Sequence, residues 1–216
     1  MKDDASPSLR ESIRSSALML GLFAAASTSL LALTHCSTKS AIARSEQQML
    51  LNELQHILPP NSFDNALTED LSFVSDPRLG SHEPVKVWRA RRDGQINAVI
   101  VAAEAPDGYN GRIGLLVGIQ RDGSLAGVRV TTHRETPGLG DDVDISRSDW
   151  ILGFTGKSLG NPDKAGWAVK KDGGIFDQFT GATITPRAVV KAVHNTLQVY
   201  ADNPQAFLAD HAAAAE

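Results

Sequence analysis

A single cysteine, Cys36, stands in a chain of 216 residues. One thiol excludes an internal disulfide and any zinc or iron–sulfur site built from this chain's own cysteines. A metal–sulfur centre would have to be shared with another subunit. The six histidines show no paired spacing such as His-x-x-x-His. His35, His56, His82, His194 and His211 therefore read as surface or locally satisfied residues, and His133 stands apart only for the loop that it opens. No Gly-x-Gly-x-x-Gly dinucleotide loop is present, nor a Ser-His-Asp set in a credible context. Lysine and arginine form no block, and the net charge of -4 argues against a nucleic-acid surface. Apolar content of 42% with 21% charged residues is ordinary for a folded domain, so wholesale disorder is not expected.

Charge is also missing from one long stretch. Residues 15–34 contain no Asp, Glu, Lys or Arg, but hold Phe23 and the leucines 18, 20, 22, 30, 31 and 33. Some twenty residues at about 1.5 Å each cover about 30 Å, the thickness of a bilayer core. Leucine and phenylalanine favour insertion by roughly 0.3–0.6 kcal/mol each, and nothing opposes them. One transmembrane helix is expected over 15–34, after a short N-terminus at 1–14. The rival is a cleaved signal peptide, for which Ala41-Ile42-Ala43 resembles a cleavage site. That site lies well beyond an apolar run already longer than a usual signal core, so a retained anchor is the expectation. Leu33-Thr34-His35-Cys36 makes a poor lipoprotein box, because His35 takes the place of a small residue. Arg10 and Arg14 before the span, against Lys39 and Arg44 after it, give a weak bias toward a cytoplasmic N-terminus with the bulk outside.

A helical juxtamembrane segment is expected over 35–60, ended by Pro59 and Pro60. Residues 61–83 read as loop. Alternating or short apolar runs over 85–91, 96–103, 113–119 and 125–132 then read as strands. Arg91-Arg92-Asp93-Gly94 and Arg121-Asp122-Gly123-Ser124 supply the turns, since Asp-Gly suits a tight hairpin. Short links indicate an antiparallel sheet. Residues 146–154 read as a helix, and 167–170 with 175–179 as a further hairpin across Asp172-Gly173-Gly174. The expected class is α+β: one N-terminal span, then a single extracytoplasmic domain over 61–203 with a mainly antiparallel sheet flanked by helices. The tail, 204–216, follows the break at Asn203-Pro204 and is expected to fray at its end.

Two loops carry the chemistry. Asp177-Gln178-Phe179-Thr180-Gly181-Ala182-Thr183-Ile184-Thr185-Pro186 leads from an apolar segment through a glycine bend into a helix. Thr185 reads as its N-cap and Pro186 as its first residue. Thr183 then sits at a helix mouth, where unpaired N–H groups and the positive dipole end favour an anion such as phosphate. By spacing alone this is also what any well-capped helix start looks like. The second loop, His133-Arg134-Glu135-Thr136-Pro137-Gly138-Leu139-Gly140-Asp141, combines two glycines and a proline in a shaped turn with exposed backbone N–H groups. An ordinary strand-to-helix connection has the same composition.

Asp177-x-x-Thr180-Gly181-Ala182-Thr183 resembles the motif of FMN-binding domains in which a flavin transferase esterifies FMN, through its phosphate, onto the last threonine. That family includes the G subunit of the Rnf/Rsx electron transport complex and the C subunit of the sodium-pumping NADH:quinone reductase. Glu135-Thr136-Pro137-Gly138-Leu139-Gly140 and Gly156-Lys157-Ser158-Leu159 resemble the Rnf branch. The resemblance implies covalent FMN on Thr183, with Asp177, Thr180, Gly181, Ala182, Glu135, Thr136, Gly138 and Leu139 around it. It also implies an electron-carrier subunit of an inner-membrane complex, with most of the chain in the periplasm. The complex would move electrons between ferredoxin and NAD levels, coupled to ion translocation, and in some bacteria keep a redox-sensing regulator reduced. Its partners would be the other membrane subunits and a flavin transferase. No catalysis of its own and no metal are expected. Arg187, one turn from Lys191, could approach the phosphate. Trp88, Trp150 and Trp167 could pack in the core or border the isoalloxazine ring. The alternative is an anchored module that holds flavin noncovalently or only scaffolds the complex.

Overall fold

The computed structural model describes residues 9–209. The chain divides into two units, residues 1–49 and 50–216. The first is helix. α1 runs unbroken over Leu9–Ile57, so the juxtamembrane helix, which by sequence could either continue the span or fold back, continues it, and its last turns belong to the second unit. Within it Ile13–Lys39 is long and apolar enough to cross a membrane, with a mean hydropathy of 1.8. Toward its end, hydroxyls are satisfied along the helix: Thr34 donates to the Leu30 carbonyl at 2.8 Å and Ser37 to that of Leu33 at 2.8 Å. A polar side chain paired in this way costs little in hydrocarbon.

The second unit is built on one antiparallel sheet in chain order, β1 (Leu71–Val74), β2 (Val85–Arg92), β3 (Gln95–Gly108), β4 (Gly111–Gln120) and β5 (Leu125–Thr132). β1 falls inside the stretch expected as loop; four residues bounded by turns are too short for alternation to register. Asp93 and Gly94, both at positive φ, make the two-residue turn between β2 and β3. β3 and β4 extend beyond their apolar cores to a second tight tip, where Gly108 pairs with Gly111 around Tyr109 and Asn110.

The central strands are buried on both faces, which explains their unbroken apolar runs. On one face Val99, Val101, Leu115 and Val117 pack with α2 (Ile184–Asp202) and α3 (Gln205–Leu208). On the other, Ala98, Ile100, Leu116 and Trp88 pack with Leu54, Ile57 and Leu58 from the end of α1. Gly118 makes room for that helix end: a Cβ there would lie 2.3 Å from Ile57 Cγ2. The buried cation Arg89 is matched by Asp70, 2.5 Å away, and by the Ala209 carbonyl at 2.8 Å.

The helix expected over 146–154 is of the 3-10 type and spans Asp149–Phe154, begun by Ser148, whose Oγ accepts from Trp150 N at 3.2 Å. Three residues per turn put Ile151 and Phe154 on one face, and both are fully buried. Segments 167–170 and 175–179 make no hairpin. Val169 and Phe176 form a parallel bridge, because a 3-10 turn at Lys170–Asp172 and the positive-φ Gly173 bring the chain back in the same direction. Stacking of Phe176 on Phe154, at 4.5 Å between centroids, fixes the return. The expected fraying of the last residues falls outside those described.

Candidate functional site

The return delivers the chain to the Thr183 motif. Trp150 Nε1 donates to the Asp177 carbonyl at 2.8 Å, and its ring lies edge-on to Phe179 at 5.2 Å. Ala182 N then donates to the Phe179 carbonyl at 3.2 Å, closing a turn in which Gly181 takes φ +81. A side chain at 181 would be strained there whatever the space around it. α2 begins immediately after.

Thr183, not Thr185, occupies the N-cap position, and its side chain makes no capping bond. Thr185 is fully buried and turned inward, where its hydroxyl donates to Glu135 Oε2. The side-chain cap expected at 185 is thus absent because a buried carboxylate competes for that hydroxyl. Pro186 sits third in the helix, still within the first turn, where no N–H partner is needed. The first turn contains no acidic residue, so the positive end of the helix is uncompensated from within.

Glu135 ties the second loop to the first. Only 4% exposed, it accepts from Thr185 through one oxygen and from Asn110 N, at 3.1 Å, through the other. Asn110 Nδ2 reaches Thr136 Oγ1 at 3.2 Å. Leu139 N and Gly140 N both donate to the Thr136 carbonyl at 3.1 Å, with Gly138 at φ +75 making the bend. Gly140 is required by contact: a Cβ would lie 2.8 Å from Thr185 Oγ1 and 2.9 Å from Glu135 Oε2. His133 serves the loop itself, its Nδ1 accepting from Glu135 N at 3.2 Å.

These segments enclose a cleft of about 330 Å³ lined by residues 135, 136, 139, 140 and 181–185, with Tyr109 from the β3–β4 tip. Six residues expected at the site therefore meet in one place: Glu135, Thr136, Leu139, Gly181, Ala182 and Thr183. Gly138, Thr180 and Asp177 shape the approach without lining the cleft. Asp177 is exposed and pairs with Lys170 at 2.6 Å. Arg187 does not open onto the cleft; it is held by Asp172 in a two-pronged pair at 2.5 and 2.6 Å. That guanidinium holds the Asp172 carboxyl below its usual range. Lys191 is likewise paired, with Asp107 at 2.6 Å. Tyr109, Gly140, Ile184 and Thr185 were not expected at the cleft. Trp88 and Trp167 are core residues, and Trp150 braces the motif from behind. Among the described residues no cluster of His, Cys, Asp or Glu is arranged to hold a metal ion.

The residues present fit a flavin mononucleotide. An uncommitted hydroxyl at the positive end of a helix suits a phosphate, and the cleft is near the low end of the roughly 300–1,000 Å³ typical of ligand sites.

Comparison with known families agrees. The FMN-binding domain family matches residues 108–198, which span the whole cleft, and the RnfG N-terminal region matches residues 1–57. The chain is 49% identical over 206 residues to the G subunit of the ion-translocating oxidoreductase complex of Pseudomonas aeruginosa (strain UCBPP-PA14), covering 95% of this chain and 96% of that one. It is 49% identical to the same subunit from Vibrio vulnificus (strain YJ016), over 86% and 88% of the two chains. With its counterpart in Pseudoalteromonas atlantica (strain T6c / ATCC BAA-1087) it shares 48% identity, over 92% and 93%. At this identity over nearly its whole length, the chain belongs to the family of G subunits of ion-translocating oxidoreductase complexes.

Proposed function

We propose that this protein is the flavin-carrying redox subunit of a membrane electron-transport complex, with FMN joined through its phosphate to Thr183 Oγ1. The Thr183 hydroxyl, which makes no hydrogen bond among the described residues and stands beside a cleft at a helix N-terminus whose first turn carries no acidic residue, is the observation that carries this reading. A flavin transferase would supply the nucleotide, and a partly open cleft on a tight turn suits access by that enzyme. Bound FMN supplies the capacity to accept and release electrons one or two at a time.

The chain's own contribution is placement. The α2 N-terminus offsets phosphate charge, while Gly181 sets the angle at which Thr183 leaves the turn. Glu135 holds the two loops at fixed spacing. Tethering replaces a binding equilibrium by an intramolecular one with high effective concentration. That matters on the periplasmic side of an inner membrane, where lost FMN is not easily replaced. The chain would sit there by its single N-terminal span, beside the other subunits, passing electrons between ferredoxin-level donors and NAD while ions cross. In some hosts the same complex would keep a redox-sensing regulator reduced. The subunit would have no separate catalytic activity.

Thr183→Val tests the linkage. In cells that contain the transferase, in-gel flavin fluorescence present in the wild type and absent from a folded variant supports the ester. Unchanged fluorescence rejects it and leaves a noncovalent flavin module.

A further inference from the structure

Among the described residues, three charged side chains are buried: Arg89, Glu135 and Asp141. Two of them face an opposite charge. Arg89 is matched by Asp70, and Arg147 Nε stands 3.3 Å from Asp141 Oδ2. Glu135 has no such partner among the described residues. One of its oxygens accepts from the Thr185 hydroxyl and the other from Asn110 N–H, and both donors are neutral. Accepting through both oxygens is the pattern of an ionised carboxylate. A charge buried without a counter-charge is among the most costly groups that a fold can hold. The N-terminus of α2, whose first turn has no acidic residue, offsets only part of that cost. Neutral groups could make the same two hydrogen bonds, so the charge has a use beyond locking the loops. It also lines the cleft beside Thr183.

We propose that Glu135 is a fixed negative charge that holds down the reduction potential of the flavin carried on Thr183. This rests on the flavin reading above. Two-electron reduction adds two electrons and takes up one or two protons from solvent. Where only one proton enters, the ring keeps a negative charge. The carboxylate on the cleft wall opposes that charge, so it lowers the potential and favours uptake of the second proton. Salt does little to weaken this, because buried charges are screened far less than exposed ones. The other charged or titratable groups near Glu135 are few. His133, 3.8 Å from Asp144, and the exposed Arg134 share its loop. Asp141 and Arg147 follow it, Tyr109 stands on the β3–β4 tip, and α2 adds Arg187, already held by Asp172.

The experiment is a spectroelectrochemical titration of the full-length protein, produced with its transferase and purified in detergent. In-gel fluorescence first confirms the flavin on each variant. Glu135→Gln removes the charge and keeps the lock: its carbonyl accepts from Asn110 N, and the Thr185 hydroxyl turns to accept from its amide. Thr185→Val keeps the charge and loses one bond of the lock. At the poise that half-reduces wild type, Glu135→Gln is expected to raise the reduced-to-oxidised ratio about tenfold, about 30 mV for a two-electron couple. Thr185→Val should stay near wild type. The pH above which a single proton accompanies the two electrons should fall in Glu135→Gln alone. A ratio unchanged in Glu135→Gln, or moved equally by Thr185→Val, overturns the proposal. Infrared difference spectra of wild type grown on isotope-labelled glutamate add a readout that needs no variant. Reduction should shift a glutamate carboxylate band; no shift, or a protonated glutamic acid band in its place, overturns the proposal too. Wild type without flavin, from cells that have the transferase, would instead sink the covalent reading and is recognised on the gel before any titration.

Discussion

Fifty residues apart in the chain, Glu135 and Thr185 meet in a buried hydrogen bond that locks the Pro-Gly loop to the first turn of α2. The same carboxylate takes the backbone N–H of Asn110, so one side chain joins the three segments that line the cleft. Glu135→Ala leaves the Thr185 hydroxyl and the Asn110 N–H without partners in a buried place. That is expected to cost about 1–3 kcal/mol. For a domain of this size each kcal/mol lowers the melting temperature by roughly 2–4 °C. Thr185→Val is expected to show part of that loss and Thr185→Ser almost none, as measured by thermal denaturation. An unchanged melting temperature in Glu135→Ala would mean that the lock carries no weight.

Gly140 lies against both partners of that bond. Gly140→Ala is expected to push them apart, at about 1–3 kcal/mol as for other overpacked sites. Because the displaced groups line the cleft, flavin loading by the transferase should fall along with stability. Stability and loading both equal to wild type would contradict the close approach.

The end of α1 is seated on the sheet through Gly118 and Ile57. Gly118→Ala should loosen residues 50–58 and expose them to limited proteolysis. Pairing it with Ile57→Ala, which removes the colliding methyl, should recover part of the loss. Contacting residues are expected to be non-additive in this way. Strict additivity would show that the two do not touch.

His194 lies beside Trp167, with ring centroids 5.3 Å apart. Burial, aided by Lys164, pushes its imidazolium pKa below the ordinary value of 6.5. The folded state therefore binds fewer protons than the unfolded state just below that value. Stability should be fully present above about pH 6.5, fall as the pH drops through the depressed folded value, and then level off. Melting curves between about pH 5 and 8 should show a smaller acid loss in His194→Gln than in the wild type. Equal slopes would contradict the shift.

Strands β2 to β5 and the course of α2 were legible because burial on one or both faces writes itself into apolar runs and helical spacing. β1 was not, since four residues between turns leave no period to read. The 3-10 helix at 149–154 and the parallel return at 169–176 depend on aromatic packing among Phe154, Trp167 and Phe176, which meet only in the fold. At the site, glycine spacing and the threonine motif pointed to both loops. The role of Thr185 was misread because a hydroxyl near a helix start serves equally as a cap or as a donor to a distant carboxylate. Tyr109 carried no local signal: its place in the cleft follows from β3 and β4 running past their apolar cores to a tip that reaches the other two loops.

The flavin reading turns on a single side chain. Mass spectrometry of the peptide containing Thr183, from protein isolated from the membranes of a host that has the flavin transferase, addresses it without intermediaries. The expected outcome is a peptide heavier by one FMN less one water, with fragmentation placing the added mass on Thr183. An unmodified threonine in that material, or the flavin on a different residue, would contradict the covalent assignment.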